Sequence, residues 1–357
     1  MNSLKPSKLA LSGLSLPDLI KVLEPTQLPL YKLKQIHAWI YAKFGTSFSQ
    51  MSDLSLAERQ LLDNNYVLSV LNTKDCQISK DGTKKYLFSL NNDDKYIESV
   101  LMTFQKREDL SVCVSSQVGC AVGCKFCATS FVNFKRNLTS QEIVDQVMSI
   151  QRDNQVRIGN IVYMGQGEPL LNTEEVIKSI YVFANSVGIG KRHITVSTSG
   201  IIPGINRLAK ENLPITLALS LHACDDDLRN SIMPGVKTYS IKNTFQALTE
   251  YLQTTNRRVT IEYVLLAGVN DSSEQAHKLA KLVSKINCHI NLIPYNPINE
   301  LSESISYKRP SIEVQEAFKA IVETSGRKVT SRLERGKDIS AACGQLHNKH
   351  LNQRVPS

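Results

Sequence analysis

From Thr139 onward the chain alternates between short apolar runs and longer stretches with an amphipathic period, and this restricts its fold more than any other feature. The apolar runs cover 160–164, 193–197, 215–221, 258–266 and 289–294, with a last short one near 328–331. A helix capped by Thr139 and Glu142 precedes the first, with Ile143, Val144, Val147 and Ile150 on one face. Another carries Val176, Ile177, Ile180 and Phe183, and further helical patterns span 204–211, 241–253, 273–285 and 311–324. Strands that are apolar throughout must be covered on both faces, and parallel neighbours need long crossovers; alternation with helices supplies both. About six such units predict an α/β fold with a parallel, partial (β/α)6 barrel rather than a closed eightfold ring.

The preceding region reads differently. Residues 1 to about 65 are predicted helical: Leu33, Ile36, Ile40 and Phe44 share a face, and Ser55 with Glu58 forms a capping-box pattern. Lys32, Lys34 and Lys43 make either a solvated basic face or a nucleic-acid-docking one. Between about 75 and 115 two strand-like runs, 85–90 and 96–102, flank Asn91-Asn92-Asp93-Asp94, which predicts a β-hairpin. The expected organisation is a small helical accessory domain (1–70), a β extension (71–105), a core (106–337) and a C-terminal segment (338–357) whose basic tail, from about His347, is expected to be disordered.

With 42% hydrophobic and 21% charged residues the 357-residue chain has globular composition. It contains no apolar run of about 18 residues, so no membrane span is expected. Met1–Ile20 lacks the apolar stretch of a secretory signal, and a cytoplasmic location is expected. A net charge of +9 suits a polyanionic partner such as nucleic acid, although many basic proteins bind none.

Eight cysteines are present, and four, Cys113, Cys120, Cys124 and Cys127, fall within fifteen residues. Such clustering without a secretory signal points to metal or redox chemistry. Cys120-Ala121-Val122-Gly123-Cys124-Lys125-Phe126-Cys127 is a C-x3-C-x2-C loop. Zinc sites favour four ligands in two close pairs, and a [4Fe–4S] cluster usually takes four cysteines. Three thiolates would leave one iron open, as a catalytic metal site requires. On these residues alone a structural metal loop or buried thiols remains the alternative. Gly165-Gln166-Gly167-Glu168-Pro169 follows the first apolar run. There glycine permits close backbone approach and Glu168 could accept from an ammonium group; a plain turn is the other reading. Ser197, Ser220-Leu221-His222 and Asn296 end later strands, where ligand groups gather in such folds, though any one could be a cap.

The cysteine spacing, with an aromatic residue before the last cysteine, resembles the signature of the radical S-adenosylmethionine (SAM) superfamily. The resemblance implies a [4Fe–4S] cluster on Cys120, Cys124 and Cys127, and SAM held on the open iron and by Gly167, Glu168, Ser197, Ser220, Leu221, His222 and Asn296. Reductive cleavage of SAM there gives a 5′-deoxyadenosyl radical. Further segments resemble one family within it, the RlmN-type 23S ribosomal RNA adenine-C2 methyltransferases, often dual-specific for transfer RNA. They are CVSSQVGC (113–120), GEPLLN (167–172), STSG (197–200), SLHA (220–223), NLIPYNP (291–297) and DISAACGQL (338–346). Adenine C2 lies between two nitrogens and is electron-poor, which disfavours attack on an electrophilic methyl and suits radical addition.

The family resemblance implies two SAM per turnover. Cys343 takes a methyl from the first, the radical from the second removes hydrogen from it, and the methylene radical adds to C2, forming a protein–RNA adduct. Glu98 removes the C2 proton. Cys113 then attacks Cys343, forming a disulfide and freeing the base, although the two lie 230 positions apart. An external electron donor such as flavodoxin or ferredoxin, a monomeric state and no membrane partner are also implied. Cys76, Cys224 and Cys288 are read as structural. Lys135-Arg136, Arg257-Arg258, Arg332, Arg335 and Lys337 are candidate phosphate contacts or solvated charges. Gln166 departs from the family's usual Met, and residues 130–133 from a stretch that often carries glycine. The rival readings are a C8-methylating Cfr-like enzyme, a non-catalytic iron–sulfur RNA-binding protein and a radical SAM enzyme of small molecules. Val118 and Pro169-Leu170-Leu171 favour the C2 family over Cfr.

Overall fold

The computed structural model describes residues 8–91, 93–104, 107–298, 307–332 and 334–346; the basic tail expected from His347 lies outside them. Three helices open the chain, α1 (Leu16–Leu23), α2 (Leu30–Tyr41) and α3 (Leu56–Asn65). They bury Leu19, Leu23, Leu33, Ile36, Ile40 and Leu62 against one another and the neighbouring core. Both bonds of the Ser55–Glu58 capping box form. The basic face is partly compensated: Lys32 pairs with Glu58 at 3.2 Å, and Lys43 with Asp53 at 2.9 Å while lying over the Trp39 ring.

Ten strands then form one sheet. β1 (Leu71–Ile78), β2 (Lys84–Leu90), β3 (Tyr96–Phe104) and β4 (Arg107–Cys113) are antiparallel. β5 (Ile158–Tyr163), β6 (Ile194–Thr198), β7 (Thr216–Ser220), β8 (Val259–Leu265), β9 (Cys288–Pro294) and β10 (Lys328–Ser331) follow in spatial order, all parallel to β4. The hairpin expected before the core is thus a four-stranded meander. Its last strand is also the first of the parallel set, which has seven members rather than the six that the alternation suggests. β4 escaped the sequence reading because it opens on Arg107-Glu108-Asp109 and gives no apolar signal until Leu110.

Helices α4 (Ser140–Asn154), α5 (Thr173–Val182), α6 (Ile202–Glu211), α8 (Ile241–Thr255), α9 (Ser273–Val283) and α10 (Ile312–Glu323) supply the crossovers, with a short α7 (Asp226–Ile232) after β7. α4 begins with the expected Thr139–Glu142 capping box. Because the seven strands are parallel, their C-terminal ends share one rim, and the loops that carry Cys113, Gly167, Ser199, His222 and Asn296 all leave from it. Among the described residues β10 has no partner on its outer edge, so the barrel stays open.

The C-terminal segment lies at that opening. Asp338 accepts from Ser79 Oγ at 2.5 Å and from the Lys80 amide, and the Gly336 amide donates to Asp81. Farther along, the Ala128 amide donates to the Gly344 carbonyl at 2.7 Å and Thr129 Oγ1 to the Leu346 carbonyl. Among the described residues no helix is long and apolar enough to cross a membrane.

Asp145, wholly buried on α4, ties the N-terminal region to the core. It accepts from Ser12 and Ser69 hydroxyls, the Val70 and Leu71 amides and Arg152. Replacing it strands several donors and one guanidinium at once. Asp145→Ala should therefore lower unfolding stability by about 3–5 kcal/mol in urea titrations. A loss under roughly 1 kcal/mol, the scale of an exposed pair, would contradict this account.

Candidate active site

The loop after β4 turns back on itself through backbone bonds from Ser116 and Gln117 to the Gln166 carbonyl. Gly119 has φ 74°, and a Cβ there would collide with the Val132 and Asn133 carbonyls. This tight path brings Cys120, Cys124 and Cys127 onto one cavity. All three are free and half-buried. Enclosure pushes the Cys120 thiol up to about 12 and the Cys124 thiol well above its ordinary value, and Cys127 rises as well. Cys120 and Cys127 also raise Cys124, and Cys127 raises Cys120, so the charged set needs positive charge among it. Among the described residues no three His, Cys, Asp or Glu side chains close on the common point that one ion would require. Thiolates of an iron–sulfur cluster bind separate irons and need no such point. The donor set therefore suits a cluster.

Opposite the thiols lie Gly167 and Glu168. Gly167 adopts φ 99°, and a Cβ would sit 2.5 Å from Gln117 Cβ, so no other residue fits without moving the loop. Glu168 is buried; the Ser199 amide and hydroxyl donate to one oxygen at 2.7 and 2.8 Å and the Leu170 amide to the other at 2.9 Å. Burial still raises its carboxyl above the usual range. The oxygen bonded only by the Leu170 amide keeps acceptor capacity, and the residue lines the cavity, which suits an ammonium ligand.

Ser197 and Ser220 line the same wall, their hydroxyls 3.2 Å apart. His222 lines it too, its ring edge-on to Phe126 at 5.0 Å. The Val264 amide donates to His222 Nδ1 at 3.0 Å, so the neutral ring carries its proton on Nε2. Burial lowers the imidazole to about 3, with the Arg229 charge adding to it. Leu221 does not line the cavity; its side chain is wholly buried in the core. Asn296 donates to the Cys343 carbonyl at 3.4 Å, while its buried Oδ1 has no protein partner and borders the cavity, an acceptor left for a ligand.

Cys343 is exposed and lines two cavities. One holds the three thiols; the second runs between Met102, Ser111 and Val162 on one side of the barrel opening and Ile293, Thr330 and Arg332 on the other. Cys113 lies just behind this wall, packed with Val100, Ala341 and Leu346. Burial pushes its thiol up to about 12, the neighbouring Cys343 adds to the rise, and Arg332 opposes it. Cys343 reaches solvent through these cavities, yet the protein packed around its sulfur raises it too, against the pull of Arg332. Glu98 is buried and borders neither cavity, but shares a strand face with Val100.

Several site residues lay beyond sequence reasoning. Arg332, considered there as a phosphate contact, lines both cavities and donates from its guanidinium to Met164 Sδ at 3.4 Å, and its charge acts on Cys113, Cys343 and Glu262. Glu262 is buried and accepts from Asn291 at 3.0 Å. Arg229, only 1% exposed, donates to the Ser199, Leu221 and Tyr239 carbonyls and so ties three loops together. An arginine on a short helix carries no signal of that role. Arg136 forks onto Glu142 at 2.7 and 2.8 Å and also meets Asp93, which takes it out of the candidate phosphate contacts. Lys337 pairs with Glu334.

Residues 114–280 match the radical SAM superfamily, and residues 9–68 match a domain described as the ribosomal RNA large subunit methyltransferase N-terminal domain. A Symbiobacterium thermophilum protein named a probable dual-specificity RNA methyltransferase RlmN is 44% identical over 344 residues, covering 95% of this chain and 91% of the relative. One of the same name from Syntrophomonas wolfei is 41% identical, covering 98% and 99%. The crystal structure of a radical SAM methyltransferase from Sphaerobacter thermophilus superposes with a TM-score of 0.89 at 41% identity, over 95% of this chain and 99% of that one.

Arg332 lowers the Cys343 thiol, so removing the cation should raise it and shrink the thiolate fraction at neutral pH. Iodoacetamide should alkylate Cys343 of Arg332→Gln about tenfold more slowly at pH 8, the scale of one pKa unit, and the rate should recover at higher pH. Peptide mass spectrometry follows the label; superimposable pH–rate curves for the two proteins would refute the pairing.

Proposed function

The chain belongs to the RlmN family of radical SAM RNA methyltransferases, and on that premise we propose that it methylates C2 of an adenine in 23S ribosomal RNA, and of an adenine in transfer RNA, through a covalent adduct on Cys343. One observation carries this reading: Cys343 lines the cavity that gathers the three-thiol loop, and Cys113, remote in sequence, packs with Ala341 and Leu346 of the segment that carries Cys343. Such an arrangement gives a carrier thiol access to the cavity and a second thiol access to the carrier.

Cys120, Cys124 and Cys127 would hold the cluster, and Glu168 and Asn296 would orient SAM. Bound there, the pair supplies a transferable methyl and, from a second SAM, a carbon-centred radical able to take a hydrogen atom from a methyl group. The protein's own part is thiol and proton chemistry. The Cys343 thiolate, favoured by Arg332, accepts the methyl on sulfur and later presents that carbon to C2 of the base. The adenine must leave its stack to reach a thiol set behind the rim. Glu98 takes the C2 proton, and the adduct's unpaired electron would return to the one-electron acceptor that SAM cleavage leaves behind, giving a closed-shell thioether. The Cys113 thiolate then attacks Cys343 Sγ; a disulfide forms, the bond from Cys343 sulfur to the transferred carbon breaks, and the released electron pair is quenched by a proton to give the methyl group. A reductant such as flavodoxin or ferredoxin would supply electrons and restore the thiols. The C2 position is favoured over C8 by Val118 and by Pro169-Leu170-Leu171.

The reconstituted enzyme should convert the target adenine of a 23S ribosomal RNA fragment to 2-methyladenosine, and act on a transfer RNA likewise. Nuclease digestion and mass spectrometry identify the nucleoside. Cys343→Ala should give no methylated RNA, and Cys113→Ala should accumulate a crosslinked protein–RNA species. Methylation at C8, or normal turnover by both variants, would overturn the reading.

A further inference from the structure

Lys85 is the second residue of β2, and a lysine is seldom wholly buried unless it is paired. It is 4% exposed, as is Glu98, and its Nζ lies 3.6 Å from Glu98 Oε1. Strand register explains the meeting. Lys85 stands opposite Val100 and Leu87 opposite Glu98, so the lysine and the glutamate are diagonal neighbours on one face, a separation that long side chains bridge. Val100 and Met102 continue that face along β3, where they pack with Cys113, Ala341 and Leu346. Lys85 has a second attachment as well: its Nζ donates to the Ser340 carbonyl at 3.4 Å. Ser340 lies in the loop that leads into Cys343 and takes a left-handed backbone, φ 50°. One cation thus joins the candidate base to the loop of the candidate methyl carrier.

We propose that Lys85 is a positioning residue for RNA methylation, holding Glu98 as a carboxylate and fixing it relative to the Cys343 loop so that Glu98 can take the proton from adenine C2. This rests on reading Glu98 as the base. In the step concerned, once the radical adduct has given up its unpaired electron to the one-electron acceptor left by SAM cleavage, the C2 proton passes to a Glu98 oxygen and the C–H electron pair returns to the ring; Lys85 takes no part in the proton transfer. A carboxylate enclosed without a counter-charge takes up a proton rather than stay ionised, and is then useless as a base. Lys85 borders neither of the cavities that Cys343 lines, so its reach to the chemistry runs through Glu98 and the Ser340 carbonyl rather than through direct contact.

The test compares Lys85→Met, Lys85→Arg and Glu98→Gln holoenzymes on a 23S ribosomal RNA fragment whose target adenine carries hydrogen or deuterium at C2. Methyl loading on Cys343, read by peptide mass spectrometry, reports whether each variant is folded and competent. Lys85→Met should load methyl normally, form the adduct, and release methylated RNA at least tenfold more slowly, with deuterium slowing release severalfold further. Lys85→Arg, which keeps the cation, should recover most of the rate, and Glu98→Gln should stall at the same stage. If Lys85→Met releases product at the parent rate while Glu98→Gln stalls, the inference fails and the base reading stands. If Glu98→Gln itself releases normally, the base reading fails and takes the inference with it. Equal failure of Lys85→Met and Lys85→Arg at methyl loading would show a structural lysine only and would also overturn the proposal.

Discussion

The site depends on one closure. Among the described residues the parallel sheet ends at β10 without a partner on its outer edge, and the C-terminal segment lies at the opening. It is tied by Asp338 to the β1–β2 turn and by the Gly344 and Leu346 carbonyls to the cysteine loop. Those attachments bring Cys343 to the cavity built by the loops of the shared rim. A closed barrel would have no room for the segment, and a free tail would have no reason to stop there.

The same closure creates an electrostatic problem that buried cations answer. Thiols and carboxylates gathered away from water resist ionisation, as the raised values of Cys113, Cys124, Glu168 and Glu262 record. Three basic side chains face them from within. Arg332 stands by Cys113, Cys343 and Glu262, Arg229 lies near Cys124 and Glu168, and Lys85 meets Glu98. A buried ion pair is a poor source of stability, and a cluster of them costs more than a hydrophobic packing of the same volume. Their presence here makes sense as function, because the chemistry needs anions in an enclosed space.

What was legible in the sequence was what periodicity and spacing encode. The βα alternation, both capping boxes and the C-x3-C-x2-C loop were read from residues alone, and each has its counterpart in the structure. β4 was hidden because its polar opening residues mask the strand pattern. Arg332, Arg229, Glu262 and Lys85 were hidden for another reason: their roles arise from contacts between elements far apart in sequence, and nothing local marks a lysine on a strand as buried. Leu221 shows the converse. It belongs to a motif whose flanking residues line the cavity, yet its own side chain points into the core.

The account's central claim is that the methyl passes through a sulfur of the protein. The direct measurement is peptide mapping of enzyme reconstituted with its cluster, reduced, and given methyl-labelled SAM but no RNA. The expected result is label on the sulfur of Cys343 and on no other cysteine, discharged when RNA is added. Methylated RNA formed by enzyme whose Cys343 stays an unlabelled thiol throughout would contradict the account.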